Sequence, residues 1–554
     1  MKEFIKKYQD IAALAGLVLL TLPVLAPYFH SGFFPTHDGE WAVVRLADMF
    51  RTLRDGQFPA RYSGYLNSQY GYPLFNFAYP LPYYLGMVFV LLKLGFVSSI
   101  KILFVLSTLI SVGGMYFLAS RMWKSTFAGF LSAVLFLYLP YRMVDLFVRG
   151  SLGEAMALAI VPCMFLSVYF AIKKRSVFST VVTALLLGAL IPTHNIMSLL
   201  FTPIFFAYAL FLSLLTDKKT IVHVLVAVVL GVGISAFFWI PAIVEKGNIL
   251  LSTIPIADRS LYFVNLQQLV FPSWGYGIPT DIKDPFTYHI GVAQIIGFLL
   301  AIFVLTKVVT FQKKMNMRRV AALFVGIIIV SVLMVFEFSA KVWEITPLLS
   351  EINYPWTLIG PIGFLTSLVA GFAITKIKHG SLVGFGIGLL AIILVLPYAH
   401  PREYVDRGDD FYVTNAATTT SSQEYTPLWV KELPVQAAAQ KVVVTQGDAA
   451  IEHISSSSNR VSFTITATNS AVFQINTIYY PGWELDIDGK EADLSYDNPR
   501  GVMEGSVSAG QHIVMAEFTE TPIRRVANVL TIGSLLMCLL VVIRVGIRHL
   551  YGRN

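Results

Sequence analysis

Long apolar runs separated by short polar stretches dominate the chain. A helix that crosses the hydrocarbon core of a membrane needs roughly 17–25 mostly apolar residues. The pattern predicts twelve such spans, at 11–29, 101–119, 126–141, 154–171, 177–193, 197–215, 221–241, 291–310, 319–338, 357–375, 381–398 and 525–546. The run 81–96 is shorter and contains Pro82 and Lys93, so we expect it to lie at the interface or to re-enter.

Lysine and arginine collect in the short polar stretches, and their bias indicates the orientation of the spans. The basic clusters lie at 121–124, 173–175, 218–219, 313–319, 376–378 and 544–553. All of them share one side if 81–96 does not cross, whereas Lys93, Lys101, Arg142 and Arg149 depart from this scheme. We therefore expect a multi-pass protein of the cell membrane with both termini in the cytoplasm. The segments expected outside are 30–100, 142–153, 242–290, 339–356 and 399–522.

The segment 399–522 changes to the alternation that is typical of strands. Alternating or β-branched residues occur at 441–444, 460–467, 471–477 and 511–518. Trp483–Lys490 contains an Asp-Gly pair and predicts a hairpin, whereas Ser455–Ser458 predicts a flexible loop. We expect a small extracytoplasmic β-sandwich tethered by the last helix. The predicted domains are 1–398, 399–522 and 523–554.

Composition supports a polytopic α-helical membrane protein. Of 554 residues 56% are hydrophobic and 13% are charged, whereas soluble domains carry about 25% charge. The net charge of +8 comes from the loop clusters, so nucleic-acid binding is not needed to explain it. Cys163 and Cys538 lie in apolar runs and predict no disulfide framework. The segment 11–29 lacks a clear cleavage site and is interpreted as a retained anchor.

The predicted spans are almost free of charge, which counts against an ion-coupled transporter. Polar residues collect instead at the expected outer ends. The first collection holds His37, Asp38 and Glu40. A carboxylate at a half-desolvated surface can accept a proton from a hydroxyl nucleophile. The alternative is that Asp38 only caps the next helix, with Glu40 in its first turn.

Two further collections suit a phosphorylated sugar. Arg149 can hold a phosphate beside Glu154, with Gly150 and Gly153 exposing backbone amides; the alternative is capping plus an interfacial arginine. His194 can donate to phosphate, and Asn195 can orient a sugar or a metal-bound water. The alternative there is a helix-ending Pro-Thr-His-Asn turn.

Aromatic residues make up the fourth collection. Asn353 and Trp356 follow the loop that contains Tyr276, Tyr288 and His289. Such side chains stack on sugar rings or line an isoprenoid groove, and the alternative is an ordinary interfacial belt. Four collections expected on one face define a candidate site.

Several motifs occur in a fixed order. They are Thr36-His-Asp38-Gly-Glu40, Tyr72–Tyr84, Arg149-Gly-Ser-Leu-Gly-Glu154, Thr193-His-Asn195, Asn353-Tyr-Pro-Trp356, and Tyr480-Pro-Gly-Trp483 with Asp488-Gly-Lys490. In this order they resemble the polytopic glycosyltransferases of the GT-C superfamily. The likeness is closest to the YfhO-like membrane proteins and to a neighbouring group labelled as a 6-pyruvoyl-tetrahydropterin synthase-related membrane domain. The pterin label is discounted, because the ten histidines show no zinc-ligand spacing.

The resemblance implies an inverting transfer of a sugar from a polyprenyl-phosphate donor to a glycan, lipid or protein acceptor on the extracytoplasmic face. The family's catalytic acidic residue matches Asp38, and a second one matches Glu154. Some superfamily members use Mg²⁺ or Mn²⁺, for which Asp38 and Glu154 are candidate ligands. Relatives often carry an arginine after Pro-Trp, where this chain has Thr357, so Arg149 or Arg142 is expected to replace it.

The residues expected to bind substrate are His37, Glu40, Arg149, His194, Asn195, Tyr276, His289, Asn353 and Trp356. Two alternatives from other classes stay open. One is a lipid or polysaccharide transporter, and the other is a non-catalytic envelope-assembly protein with a sugar-binding β-domain.

Overall fold

Twenty α-helices and eight β-strands make up a computed structural model that describes residues 2–279, 281, 283–307, 317–420 and 422–551. The first ten helices are α1 (Lys2–Leu25), α2 (Gly39–Arg54), α3 (Leu74–Phe77), α4 (Leu81–Leu91), α5 (Phe96–Trp123), α6 (Thr126–Leu137), α7 (Pro140–Val144), α8 (Leu152–Lys174), α9 (Val177–Leu190) and α10 (Asn195–Thr216). The others are α11 (Ile221–Ile234), α12 (Ala236–Val244), α13 (Leu266–Val270), α14 (Val292–Lys307), α15 (Met317–Met334), α16 (Ala340–Ile345), α17 (Ile359–Ile374), α18 (Gly380–Val395), α19 (Asp409–Val413) and α20 (Pro522–Tyr551). Lys313, Lys314 and Arg553 of the predicted basic clusters lie outside the described residues.

The helices form a polytopic membrane domain. Within the described ranges, eight helices are long and apolar enough to cross a membrane, and the number rises to ten if two bent pairs each count as one span. The bent pairs are α6 with Pro140–Arg149, at 44°, and α11 with α12, at 67°. The predicted spans at 177–193 and 291–310 correspond to the shorter apolar helices α9 and α14. The predicted count of twelve and the orientation therefore stay predictions.

Helix α4 covers most of the run expected not to cross. It has 11 residues, about 17 Å at 1.5 Å per residue, whereas the hydrocarbon core is about 30 Å thick. Its length agrees with an interfacial position.

The C-terminal strands form two antiparallel sheets, as predicted. The strands are β1 (Val442–Gln446), β2 (Ala449–Ser456), β3 (Arg460–Ala467), β4 (Ala471–Ile478), β5 (Trp483–Ile487), β6 (Lys490–Ala492), β7 (Val502–Val507) and β8 (Gly510–Phe518). One sheet has the order β1-β4-β7 and the other β2-β3-β8-β5-β6. The predicted hairpin is confirmed, because Ile487 pairs with Lys490 across a turn in which Asp488 and Gly489 have positive φ. The flexible loop predicted at Ser455–Ser458 is wrong in its first half, which belongs to the exposed edge strand β2.

Residues 399–441, here called the strap, precede the strands and pack against the bundle. Arg407 forms an ion pair with Glu40 at 2.8 Å. The Arg45 Nε donates to Thr419 Oγ1 at 3.0 Å. The strap therefore covers the end of the bundle where α2 begins, and the strands occupy only the later part of the predicted domain 399–522.

A buried carboxylate fastens the β-sandwich to the bundle. Glu245, just after α12, accepts hydrogen bonds from Asn76 at 2.8 Å and from Tyr480 at 3.1 Å. It also pairs with Arg524 of α20 at 2.7 Å and accepts from Thr521 at 3.2 Å. Arg524 and Glu245 are both buried. Four segments far apart in sequence thus meet at one carboxylate.

Two backbone hydrogen bonds join the loop before α2 to the segment before α8. The His37 amide donates to the Val148 carbonyl at 3.0 Å, and the Asp38 amide donates to the Arg149 carbonyl at 2.7 Å. Gly150 has φ +63°, and a Cβ there would lie 2.1 Å from Thr36 Oγ1. A glycine is therefore required for this close approach.

Glu245→Ala tests the fastening of the β-sandwich. The change leaves Arg524 buried without its carboxylate, and breaking a buried pair costs about 3–5 kcal/mol. We expect a clearly lower Tm of the detergent-solubilised protein and faster proteolytic release of the β-sandwich. The control is Glu517→Ala, which removes an exposed ion pair with Arg460 and should cost under about 1 kcal/mol. Equal Tm values for the two variants would contradict this role.

Gly150→Ala tests the junction between the two loops. The added methyl group must push Thr36 away, so the His37 and Asp38 amides should lose their acceptors. We expect hydrogen–deuterium exchange of these two amides to become at least ~10-fold faster, since exchange reports local opening. Gly113→Ala is the matched control, because no atom lies within 4 Å of its added Cβ. Unchanged protection in Gly150→Ala would show that the junction does not depend on this glycine.

Candidate functional site

Asp38 occupies the N-cap position of α2, but its side chain does not cap the helix. The Gly39 amide donates instead to Thr36 Oγ1 at 3.0 Å. Among the described residues none hydrogen-bonds to the Asp38 carboxylate or forms an ion pair with it, and Asp38 is half-buried. The capping alternative therefore does not account for this carboxylate.

Arg149 lies beside Asp38 and is held by two carboxylates. It closes the π-helical turn Asp145–Arg149, where the Gly150 amide donates back to the Asp145 carbonyl. Its NH1 group forms an ion pair with Glu154 and lies 3.5 Å from Asp145 Oδ1. Glu154 also accepts a hydrogen bond from the Tyr141 hydroxyl and is completely buried. The guanidinium is thus fixed in direction while 15% of its side chain stays exposed.

The Trp356 ring packs against the Arg149 guanidinium. The Arg149 Cζ lies 5.0 Å from the centre of the Trp356 ring, within the range of a cation–π contact. Phe286 and Tyr354 pack around the same ring at 4.9 and 5.9 Å. Arg142, the other expected replacement for the missing arginine, donates instead to the Phe136 carbonyl at 3.0 Å. Arg149 is therefore the arginine that lies beside Trp356.

The Thr193-His194-Asn195 motif packs against the start of α8. A Cβ on Gly153 would lie 2.6 Å from the Thr193 carbonyl oxygen. His194 Nδ1 accepts from the Met197 amide at 3.1 Å, and burial lowers the pKa of His194 to about 4. A neutral imidazole carries one N–H, so Nε2 is the donor. The Asn195 Oδ1 atom is buried and has no hydrogen-bond partner in the described part of the chain.

Three predicted residues form the rim. His37 Nε2 lies 3.1 Å from the Tyr276 carbonyl oxygen, and the Tyr276 hydroxyl contacts His400 at 3.0 Å. Asn353 directly precedes Tyr354 and is half-buried. These residues border the cluster of Asp38, Arg149 and Trp356.

Two other predicted residues are directed elsewhere. Glu40 is occupied by Arg407 and by the Tyr412 hydroxyl at 3.1 Å, so it holds the strap. His289 lines a separate small cavity with Gln294 and Tyr398. Burial lowers the pKa of His289 to about 4.

Three residues next to the site were not singled out in the sequence. Tyr141 donates the hydrogen bond that holds Glu154. Arg45 lies on α2, two turns after Asp38, a spacing of seven that puts both residues on one face. Burial raises the pKa of Tyr79 well above its ordinary value. The charge of Asp38 raises this pKa further, and the charge of Arg45 lowers it. The seven-residue spacing was the available signal for Arg45.

A divalent cation was expected from the resemblance, with Asp38 and Glu154 as candidate ligands. Among the described residues, no group of three or more His, Cys, Asp or Glu side chains is placed to hold a metal ion. The two oxygens of Glu154 are engaged by Tyr141 and Arg149. Both Glu154 oxygens thus have protein partners, and the requirement for Mg²⁺ or Mn²⁺ stays a prediction from the resemblance.

Comparison with known proteins gives a family and several partial likenesses. Residues 75–398 match the family described as "6-pyruvoyl-tetrahydropterin synthase related domain; membrane protein". An uncharacterized protein of Lactococcus lactis subsp. cremoris (strain MG1363) is 24% identical over 236 residues, which cover 41% of this chain and 38% of that protein.

Two solved structures are similar at 13% identity. The oligosaccharyltransferase of Archaeoglobus fulgidus has a TM-score of 0.47, with 76% of this chain and 61% of that chain covered. The arabinofuranosyltransferase AftD from Mycobacteria has a TM-score of 0.45, with 72% and 27% covered. This chain thus spans less than two thirds of each of these relatives. The family match extends over more than half of the sequence, and the chain belongs to the 6-pyruvoyl-tetrahydropterin synthase-related family of membrane proteins.

Proposed function

We propose that this protein is an inverting glycosyltransferase that moves a sugar from a polyprenyl-phosphate donor to a hydroxyl acceptor on the extracytoplasmic face. The observation that carries the proposal is the state of Asp38. Its backbone is fixed to the Arg149 carbonyl, and its carboxylate is used neither for capping nor for an ion pair with a described residue. A base needs this combination of fixed position and free oxygens.

The transfer requires one proton acceptor. Asp38 takes the proton from the acceptor hydroxyl as its oxygen attacks the anomeric carbon. The bond from that carbon to the phosphate oxygen breaks, and the electron pair leaves with the lipid phosphate. Because attack and departure occur on opposite faces, the anomeric configuration inverts. The developing positive charge on the sugar is also stabilised by the nearby carboxylate.

Arg149 and His194 serve the leaving phosphate. Charge-assisted hydrogen bonds to phosphate oxygens are roughly twice as strong as neutral ones. Only the NH1 group of Arg149 donates hydrogen bonds to described side chains. The other nitrogens of the guanidinium can therefore donate to a phosphate. The His194 Nε2–H adds a neutral donor. Glu154 and Asp145 position the guanidinium, so Glu154 acts through Arg149 in this scheme.

Aromatic and amide groups suit the sugar. The half-buried Tyr79 and Tyr354 rings lie near Asp38, and ring faces pack against the C–H groups of a pyranose. The unpaired Asn195 Oδ1 offers an acceptor for a sugar hydroxyl.

Asp38→Asn tests the proposal. The amide keeps the size and the backbone contacts but cannot take a proton, and removing a general base lowers rates about 10²–10⁴-fold. We expect a loss of this size in the transfer of radiolabelled sugar from polyprenyl phosphate in membranes that contain the protein. The matched control is Asp410→Asn, an exposed carboxylate at the start of α19, which should keep wild-type transfer.

Equal transfer by the wild type and Asp38→Asn would contradict the mechanism. Absence of transfer in both, over a panel of donors, would favour the transporter or the assembly protein. A transporter should tolerate Asp38→Asn with little loss of lipid or polysaccharide export.

A further inference from the structure

Three aromatic side chains form a half-buried platform where the strap meets the β-sandwich. The Tyr479 and Tyr496 rings stack with centres 4.1 Å apart and an interplanar angle of 9°. The Trp429 ring lies 5.3 Å from Tyr496, and its Nε1 donates to the Tyr479 carbonyl at 3.1 Å. All three keep part of their surface exposed, although aromatic residues of a sandwich core would be covered.

A cleft of about 500 Å³, lined by amide, charged and apolar side chains, opens between the strap and strands β1 and β4. The Gln474 amide donates to Asn476 Oδ1 at 2.8 Å, and Asn476 donates to the Gln440 carbonyl at 2.7 Å. The Gln474 Oε1 atom has no hydrogen-bond partner among the described residues and can accept from a ligand. Arg500 donates from NH1 to the Tyr70 hydroxyl at 3.1 Å, and the rest of its exposed guanidinium is available.

The platform and the cleft share a border. Gly501 follows Arg500, and a Cβ on Gly501 would lie 2.7 Å from the Trp429 ring. The amides of Lys431 and Glu432 both donate to the Pro499 carbonyl at 2.8 Å. These contacts fix the strap beside the loop before β7, so the aromatic platform continues into the amide-lined cleft.

We infer that this surface binds an oligosaccharide, at a second site separate from Asp38. A pyranose ring offers apolar C–H faces to aromatic rings and hydroxyl groups to amides and guanidinium groups, and the platform and the cleft supply both kinds of partner. A purely electrostatic ligand is disfavoured, because the cleft holds Glu432 as well as Arg500.

The platform adjoins the end of the bundle that carries Asp38. Tyr480, next to Tyr479, packs on Phe77 at 6.3 Å. The Phe77 carbonyl accepts from Asn195 at 3.2 Å, and Asn195 borders the proposed transfer site. The bound chain is therefore assigned as a glycan acceptor; this assignment rests on the proposed function, whereas the binding itself does not.

Binding of defined hexasaccharides to the full-length protein in nanodiscs tests the inference. The probes are maltohexaose, cellohexaose, chitohexaose and mannohexaose. Saturation-transfer NMR detects binding, and calorimetry gives the Kd. We expect at least one probe to bind. Tyr496→Ala and Gln474→Ala should each raise its Kd roughly tenfold, since one stacked ring or one set of hydrogen bonds is lost. Tyr496→Phe should keep the Kd within about twofold, because stacking does not need the hydroxyl.

Tyr404→Ala is the matched control, an exposed tyrosine that stacks on His30 away from the β-sandwich, and it should bind as the wild type does. The inference is overturned if no hexasaccharide binds, if Tyr496→Ala keeps the wild-type Kd, or if Tyr496→Phe weakens binding as much as Tyr496→Ala. The readout here is binding and not transfer. A failed transfer assay therefore leaves the binding result intact, and a failed binding assay leaves the transfer result intact.

Discussion

The pairing of two loops through the backbone is the contact on which the candidate site depends. The amides of His37 and Asp38 donate to the carbonyls of Val148 and Arg149, so a carboxylate and a guanidinium from distant parts of the sequence become neighbours. Gly150 permits the approach, because any Cβ there would collide with Thr36. In this arrangement Thr36 accepts the hydrogen bond from the Gly39 amide, and the Asp38 carboxylate keeps no hydrogen-bond partner among the described residues.

The remaining charges near the site mostly hold the structure together. Glu40 fastens the strap through Arg407, and Glu245 fastens the β-sandwich and the last helix through Arg524. Charges are expensive to bury unless they are paired, and these pairs join segments that hydrophobic packing alone would orient less uniquely. Asp38 differs from Glu40 and Glu245 because it forms no ion pair with a described residue.

The sequence predicted the elements better than the partners. Apolar period and strand alternation located the helices, the sandwich and the Asp488-Gly489 hairpin. Edge strand β2 was missed because it is mostly exposed and lacks an apolar face. The structure brings Asp38, Arg149 and Trp356 of the motifs together. Glu40 contacts Arg407, which lies 367 residues away in the sequence. A contact across that separation leaves no local pattern in the chain.

Chemical restoration of a carboxylate at position 38 tests most directly whether Asp38 is the base. Asp38→Cys should abolish sugar transfer, since a thiol at this position does not replace the base. Alkylation with iodoacetate places a carboxylate there and should restore a measurable fraction of the rate, whereas iodoacetamide adds a neutral group of similar size and should not. Recovery with both reagents, or wild-type transfer by the unmodified variant, would contradict the role of Asp38 as the base.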